Sequence, residues 1–214
     1  MEQKTHTGYL LLADISGYTF FLAQTELEHA HKAISFLLEA IVAQLGGLLT
    51  ISKLEGDAVF AYIEEGRLRG GETLLGLIDA TYRAFRDEAG QLYRRRTCPC
   101  KACLAIPSLD LKFMVHYGEF VLQRVAGIQD LLGTDVNLVH RLMKNHVAES
   151  TGWKAYALFT GRGLEQMRAD KESFVRQSEA YEHLGEVETY VMDMHARYQG
   201  AGDRGLLGKA VDEV

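Results

Sequence analysis

Proline is nearly absent, with two in 214 residues, and no stretch rich in proline, serine or glycine interrupts the chain, so no internal linker is visible and one domain is expected. Long apolar runs are also missing. None approaches the roughly 18 residues of a membrane-spanning helix, and Met1-Glu2-Gln3-Lys4-Thr5 lacks the apolar region of a signal peptide; the expected compartment is the cytoplasm. Beyond Arg94-Arg95-Arg96 there is no basic block, and the formal net charge of −6 argues against nucleic acid as the main partner. Cysteine is confined to Cys98, Cys100 and Cys103, an odd number that suits no disulfide framework and fits a reducing compartment. The Walker phosphate loop, G-x-G-x-x-G and G-x-S-x-G are all absent, which removes the nucleotide-binding and hydrolase classes they mark.

What is present suits one buried core: 47% of the residues are hydrophobic and 24% charged. Gly8 to Asp14 is a short apolar run ending in a carboxylate, as a central strand does on reaching solvent. Thr19 to Leu45 carries apolar residues at helical spacing and stops at Gly46-Gly47. Leu48 to Lys53 and Ala58 to Ile63 form a hairpin around Leu54-Glu55-Gly56, and Glu72 to Arg96 returns to helical periodicity. Leu111 to Tyr117 reads as a strand, Phe120 to Gly127 as a second hairpin arm, Val136 to Met143 as a helix, and Ala155 to Thr160 and Glu188 to Met192 as closing strands. The order strand, helix, hairpin, helix, strand predicts an α+β fold with a ferredoxin-like (βαββαβ) core extended by C-terminal strands. Residues 1–194 form the domain, 97–107 are an insertion within it, and 195–214 are a tail.

In that topology the third strand lies between the first two, antiparallel to the first, so Asp14 and Asp57 become neighbours. Two carboxylates at one sheet edge repel and are best neutralised by a divalent cation; Mg²⁺ or Mn²⁺, hard ions that also bind substrate phosphates, are the candidates. Ile15, Ser16, Gly17 and Tyr18 lead from Asp14 into a helix, where free amides can hold anionic phosphate. Taken singly, Asp14 reads as a helix cap and Asp57 as a turn residue. Asn137 and Arg141 share a helix face through their i, i+4 spacing. The thiols at C-x-C-x-x-C spacing can ligate zinc, with a histidine or a group from a second protomer as fourth ligand; unligated reduced thiols are the alternative. His29 and His31, two apart on a helix, make a poor chelate, and neither they nor His116 are assigned to a site.

Three segments carry a family resemblance. Asp14-Ile15-Ser16-Gly17-Tyr18-Thr19 resembles the D-I-x-G-[FY]-T segment of class III adenylate and guanylate cyclases, Lys53-Leu54-Glu55-Gly56-Asp57 their K-x-x-G-D, and Asp130 to Leu142 their D-x-x-G-x-x-V-N-x-x-x-R-[LM]. The resemblance covers about residues 8–194 and implies that Asp14 and Asp57 hold two metal ions, that Lys53 and Asp130 recognise adenine, and that Asn137 and Arg141 orient the ribose and stabilise the transferring phosphoryl group. It further implies conversion of ATP to cyclic AMP and pyrophosphate by a head-to-tail homodimer. Two features depart from the pattern. Glu182 stands where the family has a triphosphate-anchoring lysine, which Lys154 or Arg176 would have to replace, and the hairpin from Gly118 to Gly127 is poorer in glycine than the family's; the cysteine insertion is a further foreign feature and resembles that of a small bacterial branch of cyclase-fold proteins. The alternatives are a non-catalytic cyclase-homology domain that binds a nucleotide, lipid or protein partner, and an interaction module built on the cysteine loop.

Overall fold

The computed structural model describes residues 4–68 and 70–199. Strand β1 (Thr5–Ser16) is followed by helices α1 (Tyr18–Gln24) and α2 (Leu27–Leu45), the hairpin β2 (Thr50–Glu55) and β3 (Ala58–Glu64), and the long helix α3 (Gly71–Arg95). A short helix α4 (Lys101–Ala105) precedes β4 (Asp110–Val125), β5 (Ile128–Leu132), α5 (Thr134–Arg141) and α6 (Val147–Thr151). Strand β6 (Tyr156–Thr160), helix α7 (Gly161–Met167) and strands β7 (Val175–Tyr181) and β8 (Gly185–Asp193) complete the series. The sheet order is β2-β3-β1-β4-β6-β8-β7, with β5 paired to β4. Its first four strands have the ferredoxin-like order, and β6, β8 and β7 extend it as expected. No helix among the described residues is long and apolar enough to cross a membrane.

The run Gly8 to Ala13 is continuously apolar because β1 is covered on both faces. Tyr9, Leu11 and Ala13 pack with Ile34, Leu37 and Ile41 of α2 and Ile78, Tyr82 and Phe85 of α3, while Leu10 and Leu12 pack with Val136 and Val139 of α5.

The structure departs from the sequence expectation in three places. First, β4 is one unbroken strand through Gly118, not a strand and a separate hairpin arm; it turns only at Ala126-Gly127. Gly118 reads as a break in sequence but marks a close approach, since a Cβ there would lie 2.2 Å from Asp135 Oδ2. Second, β7 was not anticipated because Arg176, Gln177 and Ser178 give it the polar composition of an edge strand; α6 and α7 are too short for periodicity to mark. Third, residues 194–199 are helical, so the segment expected to be tail begins as a packed element, and residues 200–214 lie outside the described residues.

That packed end is held by a buried carboxylate. Asp110 accepts a hydrogen bond from Tyr82 Oη (2.9 Å), pairs with Arg86 (3.6 Å) and lies 3.0 Å from His195 Nε2. Burial and the neighbouring carboxylate push the Tyr82 phenol well above its ordinary value. Asp110→Ala strands a buried hydroxyl and a guanidinium at once, and is expected to cost about 3 kcal/mol in equilibrium urea unfolding; a loss under about 1 kcal/mol would mean that the cluster is solvated.

Candidate active site

Both glycines of the first two motifs sit where only an unsubstituted backbone is comfortable. Gly56 (φ 68°) closes the tight β2–β3 turn, and Gly17 (φ 87°) turns the chain from β1 into α1. The hairpin then pairs Ala58 with Asp14, and the Ile15 amide donates to the Asp57 carbonyl at 3.2 Å. Asp14 and Asp57 are thereby brought together at one end of the sheet. Burial, then the charge of Asp14, push the Asp57 carboxyl up to about 7. Two oxygen donors held in mutual repulsion suit a hard divalent cation.

Lys112 completes this corner. It lies opposite Asp14 in the β1–β4 register, and its Nζ is 2.9 Å from Asp14 Oδ2. Burial lowers its basicity, but the Asp14 charge and hydrogen bond, together with the charges of Tyr156 and Asp57, outweigh that and hold the ammonium above its ordinary value. Lys112 lies outside the three motif segments, and its sequence signal is a lone lysine within the apolar Leu111-Lys112-Phe113-Met114. Beside it opens a cleft of about 410 Å³ lined by Ser16, Gly17, Phe20, Lys112, Lys154 and Tyr156 among others. Of the turn residues, Ser16 and Gly17 line this cleft, Ser16 Oγ donates to the Lys154 carbonyl (2.8 Å), the Ile15 amide is already used, and Tyr18 begins α1, which is only seven residues long.

A second cluster forms around Lys53. A β-bulge between Ile51 and Lys53 inserts one residue, so Lys53 pairs with Phe60 rather than Val59. Phe60 faces α5 and Val59 faces α2 and α3, so the bulge moves Lys53 to the α5 side. There Lys53 Nζ lies 3.1 Å from Asp130 Oδ1 and 3.1 Å from Glu55 Oε1, and His140 Nε2 lies 3.1 Å from Glu55 Oε2. Burial works against both charges, yet pairing wins: Lys53 is held above its ordinary value and Asp130 below its own. Glu55 and His140 were not singled out from sequence, although each lies inside a matched motif.

Asn137 and Arg141 are exposed on α5, and neither side chain is hydrogen-bonded or ion-paired among the described residues. Their helix buries Val136, Val139 and then Leu142, with Met143 only partly covered beyond its end. No hydrogen bond or ion pair among the described residues joins the Asp14–Asp57–Lys112 corner to the Lys53–Asp130 cluster. Glu182 is exposed beside the β7–β8 turn next to His183, Arg176 is engaged by Glu188 at 2.6 Å, and Lys154 lies in the cleft with Lys112.

Cys98, Cys100 and Cys103 converge between α3 and β4, and the structure adds a residue set aside on sequence grounds. His29 Nδ1 lies 3.0 Å from Cys100 Sγ and 3.3 Å from Cys98 Sγ, so this His/Cys cluster could hold a metal ion. The correction has a simple cause: His29 and His31 indeed diverge, but His29 faces a loop about 70 residues away in sequence. His116 is packed in the core, with Nδ1 2.7 Å from Thr160 Oγ1.

Among solved structures, the guanylyl cyclase Cya2 superposes with a TM-score of 0.69 at 14% identity over 89% of this chain and 93% of its own. The adenylyl cyclase CyaB from P. aeruginosa gives a TM-score of 0.64 at 16% identity over 90% of this chain and 97% of its own. The fold is therefore that of the class III cyclase catalytic domains, and it is shared by enzymes named for either base. A curated relative, "Uncharacterized protein Rv2561/Rv2562" from Mycobacterium tuberculosis (strain ATCC 25618 / H37Rv), is 36% identical over 117 residues, 53% of this chain. The chain spans about half (52%) of that relative's length. Residues 34–151, which contain Lys53, Asp57, the three cysteines, Asp130, Asn137 and Arg141, match one family model, and by that match the chain belongs to the family described as "Protein of unknown function (DUF2652)".

Proposed function

We propose that the chain closes ATP to 3′,5′-cyclic AMP and pyrophosphate as a head-to-tail homodimer. The observation that supports this most is the convergence of Asp14 and Asp57 beside a cleft lined by Lys112 and Lys154. Asp14 and Asp57 would hold Mg²⁺ or Mn²⁺, two ions per site, which when bound supply Lewis acidity toward the hydroxyl and phosphate oxygens. Lys112, Lys154 and the Ser16-Gly17-Tyr18 backbone receive the triphosphate. Lys53 donates to an adenine ring nitrogen and Asp130 accepts from the exocyclic amine, whereas guanine presents the opposite pattern at those positions. Asn137 orients the ribose, and Arg141 sets its guanidinium against the phosphate oxygens on which charge builds. The 3′-oxygen bonds to the α-phosphorus, the bond from that phosphorus to the bridging oxygen breaks, pyrophosphate leaves, and the hydroxyl proton passes to solvent.

In support of the dimer, no hydrogen bond or ion pair among the described residues joins the two clusters within one chain. Leu54, Val125, Ile128 and Leu132 are exposed on β2, β4 and β5 around Lys53 and Asp130, an apolar surface that a second copy would remove from water. The direct test is ATP with Mn²⁺ or Mg²⁺ and detection of cyclic AMP; no product with either ion ends this reading. Lys154→Ala should raise KM for ATP about tenfold, the equivalent of one lost charge-assisted contact, with kcat little changed. An unchanged KM removes Lys154 from the site.

Glu182 favours a second reading, a non-catalytic cyclase-homology domain serving as a sensor or scaffold for a nucleotide, lipid or protein partner. Calorimetry with a non-hydrolysable ATP analogue separates the two, since the catalytic reading requires metal-dependent binding.

A further inference from the structure

The three thiols, on a loop and short helix between α3 and β4, meet a histidine from a different part of the fold. Their Sγ atoms are 3.2 Å (Cys98 to Cys100) and 3.4 Å (Cys98 to Cys103) apart, too far for a disulfide, and His29 Nδ1 lies 3.0, 3.3 and 4.0 Å from Cys100, Cys98 and Cys103. All four ligand atoms fall within 4.8 Å of one another. A tetrahedron with metal–sulfur bonds of about 2.3 Å and a metal–nitrogen bond of about 2.0–2.1 Å has edges of roughly 3.5–3.8 Å, which these separations bracket. The Cys103 amide donates to Cys100 Sγ (3.4 Å), and Glu26 Oε2, next to His29's helix, accepts from the Ala102 amide (3.3 Å). The loop is therefore already laid against α2 with its sulfur atoms facing the imidazole.

We infer that His29, Cys98, Cys100 and Cys103 form a complete Cys₃His zinc site that fastens the α3–β4 loop to the start of α2. Three soft thiolates and an imidazole in tetrahedral disposition select zinc over the hard ions suited to Asp14 and Asp57. With all four positions filled by protein, the ion keeps no open position for substrate and its role is structural. The location gives that role a purpose. Beyond the cysteines the loop sends Ile106 and Leu109 into the core, and the turn at Gly17 rests on it: a Cβ at Gly17 would lie 3.5 Å from the Ser108 carbonyl oxygen and 3.8 Å from Leu109. Three residues after Leu109 comes Lys112, the partner of Asp14. The zinc ion holds the floor beneath the Ser16-Gly17 turn and fixes the start of β4.

This rests on the cysteine loop being a metal site and is independent of any cyclase activity. The test is elemental analysis of the purified full chain, with X-ray absorption at the metal edge of the unmutated protein, Zn²⁺ competition titrations of His29→Ala and Cys103→Ser, and thermal melting with and without Zn²⁺. The expected results are one equivalent of zinc, an absorption fit with three sulfur scatterers and one imidazole nitrogen, and zinc affinity lowered at least about 100-fold in either variant. Stripping zinc should lower Tm by about 10 °C, reversed by Zn²⁺ but not Mg²⁺. Under about 0.2 equivalents of metal with no Tm response to added Zn²⁺ overturns both the metal site and the inference, and iron or copper in place of zinc overturns the ion. A fit without imidazole, or His29→Ala binding zinc as tightly as the parent, overturns the fourth ligand alone. The absorption measurement decides that point even if a variant fails to fold.

Discussion

Asp57→Asn is expected to lower cyclic AMP formation at least about 10³-fold while leaving the fold intact. The lower bound follows from what loss of a single electrostatic group costs elsewhere, about 10²–10³-fold, to which loss of a metal ligand adds. Stability should move the other way in metal-free buffer. Asp57 is half-buried against Asp14, so its carboxyl is pushed up to about 7 in the folded chain from its ordinary value of 3.8. The folded state then binds the proton more tightly than the unfolded chain, so this group's contribution to stability is largest below about pH 4, declines as pH rises toward 7, and stays lost above that. Lys112, paired with Asp14, offsets part of the repulsion. The asparagine variant lacks this titration and should melt above the parent at pH 8 without metal, with the difference closing toward pH 4. Mn²⁺ should raise the parent's Tm and not the variant's. An Asp57→Asn protein that keeps parental activity, or melts below the parent at pH 8, would separate Asp57 from the proposed chemistry.

Mixing two inactive variants should restore activity. In a head-to-tail dimer, each site takes Asp14 and Asp57 from one protomer and Asn137 and Arg141 from the other. Asp57→Asn and Arg141→Ala are each expected to be inactive as homodimers. When they are unfolded together and refolded at equal concentration, half of the dimers are mixed, and in each mixed dimer one site collects both lesions while the other collects neither. Recovery of about a quarter of parental activity is expected from that symmetry. Inactive mixtures that have demonstrably exchanged protomers would place all the residues in one chain, and the exposed apolar residues Leu54, Val125, Ile128 and Leu132 would then need another partner.

Features set by short stretches of chain are legible in the sequence. The ferredoxin-like order was legible because β1, β3 and the first half of β4 are apolar runs and each of its two long helices carries a wide apolar face. The approach of Asp14 to Asp57 followed from that order, since a tight turn at Gly56 delivers Asp57 to the end of β1. Strand β7 was not legible, because an edge strand exposed to water has little apolar alternation to detect. Gly118 misled because glycine marks both a chain break and a close approach, and only the packing of Asp135 shows which.

The α+β architecture, the three motif segments and the clustering of the thiols are all written in short windows of sequence and can be read there without coordinates. Asp14 and Asp57 apart, which side chains meet across long intervals depends on how the elements pack. Lys112 reaches Asp14 through strand pairing, His29 reaches the cysteines through the packing of α2 on the loop, and Lys53 faces Asp130 because a bulge shifts β2 by one residue. The physical reason is common to all three. Periodicity sets the side of an element on which a residue lies, whereas register and packing set what it finds there.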